Sequence, residues 1–165
     1  MERPRLPLGD YYQLLLKNGL LADASPLAAD LTRTVTAVTC DSRSAVPGSI
    51  FVCKGASFKA EYLAEAVRRG AFAYVSETPY EAPAPCLRVT DIRLAMGLLA
   101  DRAWGHPSGA LKAVGITGTK GKTTTAYFLK SILDAWREAQ GLHPVGLLST
   151  IVTDDGAQRR PAVLT

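Results

Sequence analysis

The glycine-rich segment 115–124 constrains what this chain can fold into more than any other part of the sequence. Its sequence is GITGTKGKTT. Its first three residues are the end of the apolar run 111–117, and its last residues lead into a stretch with helical periodicity. Glycines let consecutive backbone N–H groups converge on an oxyanion, and a helix N-terminus adds the positive end of its dipole. The segment therefore predicts a strand, a phosphate-binding loop and a helix, as in a parallel α/β sheet.

Within this segment the residue types predict contacts to ATP and Mg²⁺. Lys122 is placed to reach the β- and γ-phosphates, which gives it a catalytic role, and the Thr123 hydroxyl is placed to bind Mg²⁺. The predicted ATP-binding residues are those of the loop and the first helical turn: Gly118, Thr119, Lys120, Gly121, Lys122, Thr123 and Thr124. The spacing departs from the general P-loop pattern, because Ile116 stands where a glycine is expected. The alternative interpretation is a glycine turn that only caps a helix.

Composition and charge narrow the class of protein. The chain has 165 residues, 47% of them hydrophobic, and a formal net charge of +4, which is typical of a globular protein and too small to predict nucleic-acid binding. No secretory signal and no apolar run long enough to cross a bilayer is apparent, so we predict no membrane insertion. The three cysteines lie singly, without metal-ligand spacing. That pattern favours free thiols in a reducing compartment, and we expect a cytoplasmic protein.

Apolar β-like runs and helical stretches alternate along the first two thirds of the chain, which predicts a small α/β domain. We assign residues 1–24 to an N-terminal extension with one helix, 25–104 to this domain, and 105–110, with its Gly and Pro, to a linker. Residues 111–165 then begin a second domain as strand, helix and strand, followed by a polar tail from 153 to 160. One such unit cannot cover both faces of a parallel sheet, so we expect the chain to be a truncated form.

A second candidate site lies in the first domain, at Asp41, Ser42 and Arg43. These residues offer an acceptor, a hydroxyl and a cationic fork at the end of a predicted strand, and all three suit a nucleotide. Taken alone the signal is weak, because Asp-Ser is also an ordinary turn former that satisfies its own backbone. The position of the segment, upstream of the glycine loop and before an apolar β-like run, favours the functional interpretation.

Several segments together resemble the Mur ligase family. The sequence GTKGKTT after VGIT is similar to the variant P-loop of that family, which includes the folylpolyglutamate synthetases. Residues 104–108 resemble the linker of the family's tripeptide-synthetase branch, and 145–151 resemble its next strand, although Ser149 stands where glycine is usual. Residues 39–52 resemble the uridine-binding opening, and 163–165 look like the lead into the family's substrate loop.

This resemblance implies both a fold and a reaction. The fold is a UDP-MurNAc-binding α/β domain followed by the start of a P-loop-type parallel-sheet ATPase domain, with Asp41, Ser42, Arg43 and Thr165 as implied muropeptide contacts. The reaction is ATP-dependent and Mg²⁺-dependent addition of a diamino acid, as third residue, to UDP-N-acetylmuramoyl-L-Ala-D-Glu through an acyl phosphate. A monomer is expected by the same likeness. We do not expect these 165 residues alone to catalyse the ligation. Residues 54–62 depart from the family pattern.

Two alternatives remain open from the sequence. One is a sister Mur ligase that acts at a different step of the same pathway and shares the N-terminal pattern. The other belongs to a different class: a non-catalytic UDP-sugar-binding or ATP-binding module that retains the glycine loop. The sequence does not determine which amino acid is added.

Overall fold

The computed structural model describes residues 4–22, 30–55 and 58–162. The chain divides into two compact units, the first within residues 1–112 and the second within 113–165. The first unit contains β1 (Leu6–Pro7), α1 (Leu8–Lys17), β2 (Thr34–Val35), β3 (Ala37–Thr39), β4 (Ser49–Val52), α2 (Ala60–Arg68), β5 (Ala71–Ser76), β6 (Cys86–Arg88) and α3 (Ile92–Ala103). The second contains α4 (Lys122–Glu138), β7 (Leu147–Leu148), β8 (Val152–Asp154) and β9 (Arg159–Pro161).

A parallel sheet forms the centre of the first unit. Its four strands lie in the order β3-β4-β5-β6, and every neighbouring pair is parallel. All four residues of β4 are buried, and so are five of the six residues of β5, which is the pattern of a sheet covered on both faces. The predicted mixed α/β fold with a parallel sheet is confirmed.

The alternation of side chains along β4 and β5 divides the core into two clusters. One cluster includes Ile50 and Val52 and packs against α1 and α3, where Leu15 and Leu99 are fully buried. The other cluster includes Phe51 and packs against α2 and its surroundings. Helix α1, which the sequence pattern assigns to an N-terminal extension, thus lies in the same core as the sheet, and β1 pairs with β2 in an antiparallel ladder.

The C-terminal end of α2 meets the turn that precedes β4 at very close range. Gly70 follows this helix with φ of 102°, and a Cβ atom at this position would lie 2.7 Å from the Cα atom of Pro47. The Gly48 N–H donates to the Gly70 carbonyl at 3.0 Å. Only glycine fits here, because both the positive φ and the close approach of two backbones exclude a side chain.

The chain from residue 111 onward differs from the sequence prediction in two places. Residues 111–117, predicted as a buried strand, form no ladder in the described structure, and Leu111 and Val114 are exposed. A strand of a parallel sheet is held by hydrogen bonds to neighbouring strands, and no described segment pairs with this one. Residues 153–160, predicted as a polar tail, instead form most of β8 and β9, which pair with β7 in a three-stranded antiparallel sheet.

Polar side chains join α4 to this small sheet. The Lys130 ammonium donates to the Val145 carbonyl at 2.6 Å and pairs with Asp134 at 2.9 Å and Asp154 at 3.5 Å. Asp134 in turn accepts a hydrogen bond from the Val145 N–H at 2.8 Å. The hydrogen bond from Lys130 and that from Val145 hold the pKa of Asp134 below its usual value. The helix that begins at the glycine loop is therefore anchored two turns into its length.

Among the helices that the structure describes, none has the length and apolar character needed to cross a membrane.

Candidate nucleotide-binding sites

The glycine segment forms an irregular loop that ends at the start of α4. Gly118 has φ of 150° and Gly121, the N-cap residue, has φ of 77°, both in the region that favours glycine. No side chain caps the helix. The first turn of any α-helix has N–H groups without intrahelical partners, so this helix start presents donors to an anion.

Lys122 is the first residue of α4, and its side chain folds back over the loop. Its ammonium group donates to the Gly118 carbonyl at 2.7 Å. Lys122 is exposed, as are Thr119, Lys120 and Thr124, whereas Thr123 is half-buried. The predicted phosphate ligands therefore lie together on one accessible loop and helix turn. The ammonium is held by a single carbonyl, which a phosphate oxygen can replace.

The loop fits a magnesium nucleotide better than a metal ion alone. No group of three or more His, Cys, Asp or Glu side chains within residues 4–22, 30–55 and 58–162 is placed to hold a metal. A Mg²⁺ ion that keeps several waters and takes ligands from phosphate oxygens and one hydroxyl needs no such cage. Thr123, in the first turn of α4, has a hydroxyl that could serve as such a ligand.

The Asp41–Ser42–Arg43 segment forms a short 3₁₀ helix, Ser42–Ser44, just beyond the end of β3. Asp41 caps it by accepting a hydrogen bond from the Arg43 N–H at 3.0 Å. The same carboxylate accepts from the Arg43 guanidinium through both oxygens, at 2.9 Å each. Thr39 Oγ1 holds the preceding turn by accepting from the Asp41 N–H at 3.1 Å. The acceptor and the cationic fork predicted to face a nucleotide thus pair with each other.

This pairing affects the ionisation of both groups. The side-chain and backbone hydrogen bonds from Arg43 hold the pKa of Asp41 below its usual value, and the same contact raises the pKa of Arg43. Arg43 remains largely exposed, with 84% of its side-chain surface accessible. Its ion pair with Asp41 is therefore exposed to solvent and screened, and a more highly charged anion can displace the Asp41 carboxylate.

The remaining predicted contacts differ in how far the structure describes them. Ser42 is half-buried, and its hydroxyl has no hydrogen-bond partner among the described residues, so it is available to a ligand. Thr165 lies outside the described residues. In the segment that departs from the family pattern, Phe58 packs on Tyr80 with ring centroids 5.2 Å apart and on Tyr62 at 6.5 Å. Sequence patterning gave no indication of this aromatic cluster.

The predicted linker is locally ordered by one carboxylate. Asp101, near the end of α3, bonds the His106 ring at Nδ1 and accepts from the Ser108 N–H at 3.1 Å. His106 adopts the left-handed conformation, with φ of 62°. The imidazole thus helps to shape the chain at the end of α3, within the segment predicted as a linker.

Proteins of known name are similar to this chain over about three quarters of its length. A ligase from Enterococcus faecalis, named UDP-N-acetylmuramoyl-L-alanyl-D-glutamate--L-lysine ligase, is 48% identical over 120 residues, which are 72% of this chain and 23% of the relative. A UDP-N-acetylmuramyl-tripeptide synthetase from Bifidobacterium longum is 40% identical over 123 residues, which are 73% of this chain and 24% of the relative. No protein-family model matches the chain.

Solved structures of ligases also superpose on this chain. MurF from Acinetobacter baumannii superposes with a TM-score of 0.54 and 29% identity, over 82% of this chain and 29% of that one. A UDP-N-acetylmuramoyl-L-alanyl-D-glutamate--2,6-diaminopimelate ligase superposes with a TM-score of 0.63 over 89% of this chain and 28% of that one. At 20% identity the second match supports the fold alone.

A parallel α/β unit followed by a glycine loop at a helix start defines an α/β protein with a P-loop-type segment. The chain belongs to the Mur ligase family, and its curated relatives at 40–48% identity are tripeptide synthetases and lysine ligases of that family. It spans about a quarter of the length of those relatives.

Proposed function

We propose that the whole protein is an ATP-dependent ligase of peptidoglycan precursor synthesis, which adds the third residue to UDP-N-acetylmuramoyl-L-Ala-D-Glu. The observation that carries this proposal is the glycine loop at the start of α4, with Lys122 over it, in a chain that is 48% identical to a lysine ligase of this family. A fold alone does not determine function, so the proposal depends on this site and on the close relatives.

The two units have different roles in this proposal. The first unit, residues 25–104 with the helix in 1–24, binds the UDP-MurNAc end of the substrate. Residues 111–165 begin the ATP-binding domain, and residues 105–110 link the two in sequence. The loop with half-buried Ser42 and exposed Arg43 supports the first role, because a hydroxyl and a guanidinium suit a uridine diphosphate. Thr165 belongs to the same proposed muropeptide set.

The glycine loop has a defined part in phosphoryl transfer. On binding, the Lys122 ammonium exchanges the Gly118 carbonyl for phosphate oxygens, and Thr119, Lys120, Gly121 and the first-turn N–H groups surround the same anion. Thr123 provides a hydroxyl ligand for Mg²⁺, and Thr124 continues the turn. When bound, Mg²⁺ neutralises charge on the phosphates, and positioning accounts for most of the remaining rate enhancement.

The proposed reaction follows from the substrate named for the relatives. The substrate carboxylate attacks the γ-phosphoryl group of ATP, and ADP leaves. The resulting acyl phosphate is attacked by the neutral amine of a diamino acid, and a tetrahedral intermediate forms. Inorganic phosphate leaves with its bonding electrons, and the nitrogen gives up one proton to phosphate or solvent. The names of the Enterococcus and Streptococcus relatives support L-lysine as that amino acid.

The setting of the protein is part of the same proposal. We place it in the cytoplasm, because its three cysteines are free thiols as in a reducing compartment, and we expect a monomer without nucleic-acid partners. The MurF structures, at 29% identity, favour one second candidate, a ligase that adds a later dipeptide. The curated relatives at 40–48% identity weigh against it.

The test is ligation by the full-length gene product. We expect ATP turnover that depends on UDP-N-acetylmuramoyl-L-Ala-D-Glu and on L-lysine, with tripeptide product by mass spectrometry. Lys122→Ala should lower kcat by about a hundredfold or more, which is the scale for losing one preorganised charge at a transferring phosphoryl group. Lys112→Ala, an exposed lysine outside the loop, should leave kcat unchanged.

Other results would assign the protein differently. Turnover that depends on the UDP-linked tripeptide instead of the dipeptide would identify the later-step ligase. Muropeptide binding without ATP turnover in the full-length protein would identify a non-catalytic module and contradict the proposal.

A further inference from the structure

A contact between two distant parts of the sequence fixes the Ser42–Ser44 helix. The Arg69 guanidinium donates from Nη1 to the Arg43 carbonyl at 3.3 Å, across a separation of 26 residues. Its Nε donates to Glu65 Oε1 at 2.6 Å, one helical turn back along α2. Arg69 therefore bridges the end of α2 and the loop that carries the proposed nucleotide contacts. No pattern in the sequence predicts a role in binding for this arginine.

The anchor on the α2 side is rigid. Gly70 comes directly after Arg69, and its close approach to Pro47 and its bond to Gly48 leave the helix end little room to move. Leu63 and Ala66 of the same helix are fully buried in the cluster that contains Phe51. A side chain that extends from such a fixed point can hold an otherwise exposed loop in one conformation.

The electrostatics of the loop support the same connection. Hydrogen bonds from Arg43 lower the pKa of Asp41 most, and the positive charge of Arg69 acts in the same direction. The bond from Arg69 to the Arg43 carbonyl places this positive charge beside the loop. Together with Arg68 and Glu65, the cluster contains three guanidinium groups and two carboxylates, an excess of positive charge next to a proposed diphosphate site.

We propose that Arg69 is a positioning residue for nucleotide binding: by holding the Arg43 carbonyl, it keeps Ser42 and Arg43 in the conformation that receives the uridine diphosphate of the substrate. The inference rests on the proposed function of the Asp41–Arg43 loop. Arg69 acts through that loop and not on the reacting atoms. Without this bond the loop must be ordered at the moment of binding, and the cost appears in the affinity.

Arg68 is a matched control inside the same helix turn. It pairs with the other oxygen of Glu65, so Arg68→Ala removes an ion pair of the same kind from the same carboxylate. No hydrogen bond joins Arg68 to the 41–44 loop in the described structure. Each alanine variant removes one ion pair with Glu65, and Arg69→Ala also removes the bond to the Arg43 carbonyl, so the urea midpoints of both variants are measured beside their Kd values.

The experiment is calorimetric titration of the 165-residue chain with UMP and with UDP-N-acetylmuramoyl-L-Ala-D-Glu. Arg69→Ala should raise Kd about fivefold, the scale of one hydrogen bond from a charged donor at a solvated site. Arg68→Ala should change Kd by less than about twofold. Arg69→Lys, whose ammonium can reach the same carbonyl, should recover part of the affinity.

A double-mutant cycle with Ser42→Ala separates positioning from a general structural effect. If Arg69 acts through the loop, the two substitutions are non-additive, because the second removes a contact that the first has already weakened. Additive effects, or Arg69→Ala and Arg68→Ala with equal Kd, would overturn the inference while the proposed function stands. If the unsubstituted chain binds neither ligand, the proposed role of the loop fails, and the inference fails with it.

Discussion

Replacement of Gly70 by alanine tests the geometry that supports the nucleotide loop. At φ of 102°, a Cβ atom would lie 2.7 Å from the Pro47 Cα, 3.1 Å from its N and 3.2 Å from its Cβ. The first two are backbone atoms, so no rotamer change relieves the contact. Either the turn before β4 or the end of α2 must move, and the Gly48 to Gly70 hydrogen bond at 3.0 Å lies in the path of that movement.

The expected magnitude has two parts. An alanine forced to positive φ costs about 1–2 kcal/mol, and an overpacked contact that shifts backbone costs about 1–3 kcal/mol more. We therefore expect Gly70→Ala to lower the free energy of unfolding by about 3 kcal/mol. Gly55→Ala is the matched control, because its φ is 109° and, chain neighbours aside, no atom of a described residue lies within 4 Å of the added Cβ. It should cost only the conformational part, about 1 kcal/mol.

The assay is urea denaturation followed by circular dichroism, with both variants and the unsubstituted chain in one buffer. The change in unfolded-state entropy from glycine to alanine is the same at both positions, so it cancels in the comparison. The difference of about 2 kcal/mol between the variants then measures the contact with Pro47. Equal destabilisation by the two substitutions would refute the close approach of α2 to this turn.

Three further predictions concern α3 and the thiols. Gly97→Ala, in the exposed middle of α3 with open space at its Cβ, should stabilise by about 0.5–1 kcal/mol in the same assay, and a loss of stability would contradict the helix. Asp91→Ala removes the N-cap carboxylate of α3, which accepts hydrogen bonds from two backbone N–H groups at 2.9 Å each, and should lower the free energy of unfolding by about 1 kcal/mol. An unchanged free energy of unfolding would show that water satisfies these N–H groups equally well. Burial raises the pKa of Cys53 to about 12, so iodoacetamide at pH 8 should alkylate the exposed Cys40 first, as followed by mass spectrometry. The free energy of unfolding should fall as the pH rises from about 9 towards 12, because the thiol ionises at lower pH in the unfolded chain than in the folded one. Early alkylation of Cys53 would argue against its burial.

The sequence predicted elements whose signal is local. The runs that became β4 and β5 are rich in apolar, β-branched and aromatic residues, and α4 starts directly after a glycine at its N-cap, so pattern and structure agree. Residues 111–117 show the limit of this reasoning. An apolar run is compatible with a strand, but a strand needs a neighbour, and hydrophobicity does not say whether one is there.

The hairpin of β8 and β9 had a readable signal that composition obscured. Its loop contains Asp155-Gly156, a dipeptide typical of tight turns, and Gly156 has φ of 86°. The segment is polar because the described sheet of the second unit is largely exposed, so polarity alone does not distinguish an exposed hairpin from a tail.

In the candidate site, the residue types could be predicted from the sequence, but the contacts between them could not. The types of Asp41, Ser42 and Arg43 predicted a nucleotide-facing loop, but sequence does not show that Asp41 and Arg43 bond each other. The pair of Glu65 and Arg69 is readable from the spacing of four along a helix. The bond from Arg69 to Arg43 depends on how α2 packs against the sheet, and no local pattern contains that information.

The central claim, that the Asp41–Arg43 loop reads the uridine end of a muropeptide, is tested most directly by thermal unfolding of the 165-residue chain with UDP-N-acetylmuramoyl-L-Ala-D-Glu. At a ligand concentration of about a hundred times Kd, binding should stabilise the chain by roughly 2.7 kcal/mol, a shift of several degrees in Tm. Ser42→Ala should reduce the shift, and Ser44→Ala, in the same 3₁₀ helix, should not. An unchanged Tm at saturating ligand, or equal shifts for the two serine variants, would contradict the account.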